Sequence, residues 1–303
     1  MTGRQELFLW RWLGRCGGCA AATDAGKCKP WEVEDGLWER VEPLLPVVER
    51  RYRYSGRKRL DQRKVLCGIL FVLYTGIRWE FLPQELGFRS GMTCWRRLRD
   101  GNEAGVWQQL HELLLAELRA GDVLDLSRAS VDSSHLRALK GGDATGRSPV
   151  DRGKKGSKHH VIVDAHGIPL AATVTGGNRN DVTQLLPLIR GKRGRPRQRP
   201  DVLFADRGYD HDIYRRQVRE LGIRPLIARR GTEHGSGLGK DRWVVEAAFA
   251  LLHWFRRLRI RWEIRADIHQ AFLTLGCVII CWRRLKTSFP GEASATGVVP
   301  KPA

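Results

Sequence analysis

The sequence predicts an α/β fold in which a small all-α unit precedes a larger unit built on a mixed sheet with flanking helices. Helical spacing of apolar residues dominates the first part of the chain, and strand-like runs begin near residue 128. A chain of 303 residues with 42% hydrophobic residues and 11 Trp can bury a core for both units. We therefore divide it into an irregular leader (1–30), a helical domain (31–120), a sheet domain (121–286) and a flexible tail (287–303).

The helical domain contains four segments with helical periodicity. Apolar residues over 37–45 predict an amphipathic helix that ends at Pro46. The next helix has Asp61 as a candidate N-cap and Gly76 as a candidate terminator. A third helix, about 91–98, carries a basic run typical of the recognition helix of a helix-turn-helix, and a fourth spans about 106–118. A three-helix bundle with a basic face has the same pattern, so both interpretations stay open at this point.

The second half alternates strand-like and helical runs in the order βββαβαβα. Residues 202–206 form a continuous apolar run, which is typical of a buried parallel strand. The apolar run 277–282 predicts a buried helix. The predicted strands are 129–132, 160–164, 169–175, 202–206 and 224–228, and the helices between and after them begin at 181, 211 and 242.

Charge is the strongest feature of the composition. Its formal net charge is +20 and its pI is about 10.3. DNA is the natural partner for such a chain, and no basic amphipathic helix with a clean apolar face indicates a membrane. We expect the protein in the cytoplasm, associated with the nucleoid. The cations expected to contact DNA are Arg96, Arg97, Arg99, Lys154, Lys155, Lys158, Arg242, His253, Arg256 and Arg257.

The 7 Cys are odd in number and mostly solitary, which is typical of a reducing compartment. Cys16 and Cys19 form a C-x2-C that is followed by Cys28, but no fourth ligand of suitable spacing follows. A zinc site and a leader without a metal both stay open there, and the spacing favours the second.

Three acidic residues stand in different kinds of segment. Asp132 and Asp206 close two predicted strands, and Glu246 lies one turn into a predicted helix. The two strands are natural neighbours, so the carboxylates are expected to meet at one edge of the sheet. Such a set suits two divalent cations. Each residue alone has a simpler explanation, because an aspartate can cap a turn and Glu246 can pair with Arg242 one turn earlier.

The sequence around these residues resembles that of DDE transposases, most closely bacterial insertion-sequence enzymes of the insertion-sequence-five family, which is related to the insertion-sequence-four group. The resemblance runs from about 31 to 285. The blocks that carry it are residues 131–138, 205–210 and 242–246, supported by 76–83, 175–181 and 255–263.

The resemblance implies a ribonuclease-H-like catalytic domain that uses Mg²⁺ or Mn²⁺, two ions in all, with Asp132, Asp206 and Glu246 as catalytic residues and metal ligands. It also implies cleavage and strand transfer at the element's terminal inverted repeats, target DNA as a further partner, and a homodimer or higher assembly on DNA. Two features depart from the family pattern. Ala247 and Ala248 stand where relatives have Arg and Thr, and Gly239 and His253 stand where relatives tend to have Tyr and a Lys or Arg, although His253 also occurs in relatives. Two other hypotheses therefore stay open, a catalytically degenerate DNA-binding protein and a structure-selective nuclease or RNA processor on the same fold.

Several other polar residues have candidate roles. Asp164 and His166 are expected in a hairpin turn rather than in a metal site. Asp181 is expected to be a helix N-cap. His159 and His160, beside Lys158, are expected to face DNA phosphates.

Overall fold

The computed structural model of the protein describes residues 29–47, 60–190, 199–231 and 239–289. Almost all of the predicted leader, with Cys16, Cys19 and Cys28, lies outside the described residues, and so does most of the predicted tail. Within the described residues the helices are α1 Asp35–Val41, α2 Gln62–Thr75, α3 Gly91–Glu103, α4 Val106–Ala120, α5 Leu185–Arg190, α6 Asp212–Glu220, α7 Gly239–Trp254, α8 Arg256–Arg259 and α9 Ala266–Ser288. The strands are β1 Arg128–Ala138, β2 Gly146–Arg147, β3 Lys155–Val163, β4 Pro169–Gly176, β5 Val202–Ala205, β6 Arg224–Ile227 and β7 Ile260–Arg261.

The predicted signals for the ends of α2 are confirmed. The Asp61 side chain accepts a hydrogen bond from the Arg63 backbone N–H at 2.9 Å. Gly76 ends the helix with a φ of 71°. Glycine adopts this left-handed conformation at the lowest energetic cost because it has no Cβ. Ser90 caps α3 in the same way as Asp61 caps α2, by accepting from the Thr93 N–H.

The strands form one mixed sheet with β1 near its centre. β3 pairs antiparallel with β1, β5 pairs parallel with it, and β4 and β6 extend the sheet beyond β3 and β5. The predicted order of elements is confirmed, apart from two strands of two residues each that were not predicted, β2 before β3 and β7 after α8. The mixed sheet and its flanking helices are the α/β architecture that the sequence predicts.

Alternate residues of the central strands face two separate apolar clusters. Val131 and Ile162 point toward the cluster under α5 and α6. Val161 and Val163 point toward a larger cluster that contains α7, α9 and the four N-terminal helices. The helical segment and the sheet therefore share one core, and the assignment of 31–120 and 121–286 as separate domains stays a prediction.

Two elements differ from the predicted ones. β1 continues to Ala138 because residues 133–137 pair with β3, and their polar side chains had concealed the strand. The long helix predicted over 242–258 ends at Trp254 and resumes at Arg256. Phe255, which is fully buried, has an extended ψ of 101° and turns the chain there. No helix of the described residues is long and apolar enough to span a bilayer.

Candidate active site

Asp132 and Asp206 lie at the same level on neighbouring parallel strands. The register pairs Ser130 of β1 with Phe204 of β5, and the two aspartates stand two residues further along each strand. Because side chains two residues apart share a face of the sheet, both carboxylates point to the side that carries α7. Asp132 was predicted to close its strand but lies within β1, whereas Asp206 directly follows β5.

Short backbone hydrogen bonds fix both carboxylates. The Ser133 N–H donates to Asp132 Oδ1 at 2.8 Å, and the Gly208 N–H donates to Asp206 Oδ1 at 2.9 Å. The second bond begins the 3-10 turn Arg207–Tyr209. Each aspartate therefore has one oxygen engaged by a backbone N–H close to it in the chain.

Helix α7 brings a cation and the third carboxylate to this edge. Arg242 Nη2 donates to Asp132 Oδ2 at 3.1 Å, and both side chains are about four-fifths buried. Glu246 follows one helical turn later and is exposed. The alternative in which Arg242 pairs with Glu246 is not the arrangement observed, because the guanidinium reaches across to β1.

The surroundings of Asp132 change its acidity. Burial raises the pKa of Asp132, the Ser133 N–H and Arg242 lower it, and the negative charges of Asp206 and Glu246 raise it. The balance of these effects is a pKa of about 6. A carboxyl that is costly to ionise beside two other carboxylates gains most from a bound cation. Arg242 supplies a positive charge at this place.

The donor chemistry fits a hard divalent cation, but the side chains do not form a closed cage. Carboxylate oxygens are the ligands that Mg²⁺ and Mn²⁺ prefer. In the described part of the chain, no three His, Cys, Asp or Glu side chains are gathered tightly enough to hold a metal. The Nε of Arg242 is buried without a hydrogen-bond partner. The guanidinium therefore lies close to the carboxylates without being fully satisfied there.

Tyr209 is a site residue that sequence analysis missed. Its side chain is 1% exposed, and its hydroxyl has no hydrogen-bond partner among the described residues. Burial raises the pKa of Tyr209 well above its usual value, and Asp132, Asp181 and Asp206 raise it further. The hydroxyl is thus a neutral donor within the electrostatic reach of the acidic residues. Its position three residues after Asp206 was the available signal.

The predicted DNA-contact residues divide by exposure. Arg97, Arg99, Arg242 and His253 are half-buried, and the first two pair with Asp100. Lys158 and Arg257 are buried. The exposed members are Arg96, Lys154, Lys155 and Arg256.

Lys158 is a correction to the predicted DNA interface. Its Nζ donates to Asp181 Oδ1 and to the Arg179 carbonyl, each at 2.8 Å, and the residue is 5% exposed. It therefore fixes the loop after β4 instead of meeting phosphates. Asp181 was predicted to be a helix N-cap. The N-cap of this turn is instead Asn180.

Arg257 is a second correction, because a buried polar network holds it. Its guanidinium contacts Glu263 Oε1 at 2.6 Å, and Glu263 Oε2 lies 3.1 Å from His269 Nδ1. His269 Nε2 lies 2.8 Å from His159 Nε2. Burial would raise the pKa of Glu263, but hydrogen bonding from His269 and the charge of Arg257 lower it on balance.

The two histidines predicted to face DNA lie inside the protein. His159 and His160 are both 0% exposed. Burial lowers the pKa of His159 well below its usual value and that of His160 to about 4, so both rings are neutral near pH 7. The predicted turn at Asp164 is confirmed, since its Oδ1 accepts from the His166 and Ile168 N–H groups.

Comparison with known families supports the identity that the site suggests. A family model described as a transposase DDE domain matches residues 124–282, which is more than half of the chain. A model described as a putative transposase of the IS4/5 family matches residues 33–111. The chain belongs to the IS4/5 family of DDE transposases.

Individual relatives agree with this assignment. The chain is 64% identical over 148 residues to a putative transposase for insertion sequence element IS402 of Burkholderia cepacia, covering 47% of this chain and 70% of that protein. It is 29% identical over 135 residues to a putative transposase for IS6501 of Brucella ovis, covering 42% of this chain and 98% of that one.

Solved structures of this class are much more distant from this family member. The Mos1 strand transfer complex covers 80% of this chain and 81% of its own at 14% identity, with a TM-score of 0.26. A pre-cleavage Mos1 transpososome covers 82% and 84% at 12% identity, with a TM-score of 0.25.

Proposed function

We propose that this transposase binds the terminal inverted repeats of its insertion sequence and catalyses metal-dependent DNA strand cleavage and strand transfer. The observation that carries the proposal is the register of β1 and β5, which brings Asp132 and Asp206 side by side under α7. Asp132, Asp206 and Glu246 would hold two Mg²⁺ or Mn²⁺ ions, which stabilise the attacking and leaving oxygens of an in-line displacement.

The chain's own residues prepare this site before DNA arrives. The N–H groups of Ser133 and Gly208 orient the two aspartates. Asp132 ionises fully only above its pKa of about 6, so the affinity of its carboxylate for a cation falls in more acidic solution. Arg242 must release Asp132 Oδ2 for that oxygen to bind a cation, and its side chain then becomes available to a DNA phosphate.

DNA binding is proposed from charge and exposure. Arg96, Lys154, Lys155 and Arg256 are exposed cations on a chain whose formal net charge is +20. Contacts of this kind release counterions, so affinity should fall steeply as salt concentration rises. We further propose target DNA as a second DNA partner, a homodimer or higher assembly on DNA, and a cytoplasmic location at the nucleoid.

A second candidate function is a catalytically degenerate DNA-binding protein derived from a transposase. Two observations favour it. Asp132 is paired with Arg242 rather than gathered with the other acids, and Ala247 and Ala248 replace the residues usual after the glutamate. This candidate predicts binding without cleavage.

A cleavage assay on duplexes that contain the repeats flanking the gene separates the two functions. The transposase proposal predicts strand cleavage with Mg²⁺ or Mn²⁺ and none with EDTA. Asp132→Asn, Asp206→Asn and Glu246→Gln should each abolish cleavage while keeping salt-sensitive DNA binding. Asp212→Asn, at an exposed aspartate on α6, is the matched control and should cleave normally.

Two outcomes contradict the proposal. Cleavage by Asp132→Asn equal to that of the wild type would exclude the three-carboxylate mechanism. Salt-sensitive binding of the repeats, with no cleavage under either metal, would establish the degenerate protein instead.

A further inference from the structure

A cavity of about 300 Å³ opens between α3 and the segment that follows β7. The residues that line it include Trp79, Trp95 and Trp262. All three tryptophans are partly buried. A cavity with three aromatic walls suits a flat, π-rich ligand.

The rim of the cavity is basic. Arg78 and Lys140 are both exposed, and neither pairs with a carboxylate in the described part of the chain. The Arg78 guanidinium lies over the Trp262 ring at 6.0 Å from its centroid. Glu80 is the one acidic residue of the lining, against the basic residues Arg78, Lys140 and Arg257. Arg257 is neutralised by Glu263, whereas Arg78 and Lys140 are at the rim. Aromatic walls with a cationic rim match a nucleobase that is attached to a phosphate backbone.

The walls are held rigidly. The Trp79 ring stacks on Phe272 at a centroid distance of 5.7 Å. A Cβ added to Gly91 would lie 1.8 Å from the Trp79 carbonyl oxygen, so α3 approaches Trp79 more closely than any other residue type permits. Arg99 and Arg265 both lie over the ring of Trp95, at 5.6 and 5.9 Å from its centroid. Preorganised rings lose little conformational entropy when a ligand binds.

The cavity lies at the far end of the strand that carries Asp132. β1 pairs with β7 at Ala138 and Arg261, and Lys140 and Trp262 follow directly. Six residues separate Asp132 from Ala138, which corresponds to about 20 Å along the strand. A B-form duplex rises 3.4 Å per base pair, so about six base pairs span that length. The first turn of α3, the predicted recognition helix, also lines the cavity through Ser90 and Met92.

We propose that this cavity, which we call the tryptophan pocket, binds an unpaired nucleobase of DNA whose duplex part lies along β1 toward Asp132. The base stacks against the indole rings, and Arg78 and Lys140 contact the adjoining phosphates. The inference rests on the proposed function, because it needs the protein to hold DNA. It adds a preference for locally unpaired DNA, which the three carboxylates do not require.

Binding to matched DNA duplexes tests the pocket. The probes are a fully paired duplex and a forked duplex of the same sequence that ends in unpaired adenines, one replaced by 2-aminopurine. The wild type should bind the forked duplex on the order of 10-fold more tightly, since base–aromatic stacking is worth about 1–3 kcal/mol per base. The 2-aminopurine fluorescence should be quenched on binding, without any metal present.

Variants on and off the pocket locate the effect. Trp95→Ala should remove most of the preference and the quenching, and Trp95→Tyr should retain much of both. Trp262→Ala is the second pocket variant, and either one suffices if the other fails to fold. Trp254→Ala is the matched control, because Trp254 is 56% exposed at the end of α7 and outside the pocket. It should keep the preference.

The outcomes are separable. Equal affinity of the wild type for forked and paired DNA overturns the pocket while leaving the proposed function intact. Loss of binding to both DNAs by the folded wild type overturns both. A second copy of the chain is the other possible occupant. If Trp95→Ala converts a dimer to a monomer in sedimentation without changing the DNA preference, the pocket is a protein interface and the proposal is wrong.

Discussion

Replacing Arg257 by Met should cost the protein about 3–5 kcal/mol of its free energy of unfolding. The Arg257 and Glu263 side chains are 5% and 4% exposed, and their charged atoms are 2.6 Å apart. Removing one partner of so deeply buried a pair leaves the other charge uncompensated, which is the source of this cost. Arg257 Nη1 also donates to the carbonyls of Gly76 and Ile77, at 3.3 and 2.8 Å, and those acceptors would lose a donor. Met keeps the packing of the aliphatic stem.

The neighbouring Arg256→Met is the matched control. Arg256 is exposed, so this change should alter the free energy of unfolding by less than about 0.5 kcal/mol. If Arg256 contacts a phosphate, its loss should reduce the slope of log affinity against log salt by about 0.9, whereas Arg257→Met should leave the slope unchanged. Urea unfolding measures the first quantity and a salt titration of DNA binding the second.

A companion substitution tests the cause of the loss. Adding Glu263→Gln to Arg257→Met should recover part of the lost free energy, because the uncompensated carboxylate is removed. The burial argument is refuted if Arg257→Met unfolds at the wild-type urea concentration and lowers the salt slope. That pair of results would place the guanidinium on DNA.

Three further substitutions probe the site and the pocket. Asp132→Asn should raise the free energy of unfolding by about 2–3 kcal/mol near pH 8, because burial raises the pKa of the carboxyl to about 6 in the folded protein. The gain should shrink as pH falls from about 6 to 4, where the folded and then the unfolded carboxyl take up the proton, and an equal gain at both ends in urea unfolding would contradict the shift. Tyr209→Phe should keep or raise stability by about 1 kcal/mol, since it deletes a buried hydroxyl without a partner, and a clear fall in the thermal midpoint would reveal an unseen partner. Gly91→Ala should destabilise by about 1–3 kcal/mol through its clash with the Trp79 carbonyl, and wild-type stability in urea would show that the helix can shift.

The elements that the sequence predicts best are those whose signals are local. Asp61 and Gly76 mark the ends of α2 through hydrogen bonding and backbone conformation that depend on a few adjacent residues. The apolar run at 202–206 identifies β5 because a strand buried on both faces needs no alternation. The adjacency of Asp132 and Asp206 follows once β1 and β5 are recognised as neighbours.

Burial of charged residues is what the sequence conceals. Arg256 and Arg257 are identical side chains in one basic run, yet one is exposed and the other is enclosed by Glu263. The difference depends on the turn at Phe255, which the spacing of apolar residues does not predict. The burial of Lys158 cannot be predicted from adjacent residues either, because its partner Asp181 lies 23 positions later.

Helix α9 contacts both the N-terminal helical segment and the sheet. Trp282 Nε1 and Lys286 Nζ donate to the Glu34 carboxylate before α1. Gln270 accepts a hydrogen bond from the Val174 N–H and donates one to the Ala172 carbonyl on β4. These two backbone groups on the outer edge of the strand are therefore hydrogen-bonded to α9. A gene product that stops before residue 266 would therefore lose α9, and with it the packing that joins the N-terminal helices to the sheet.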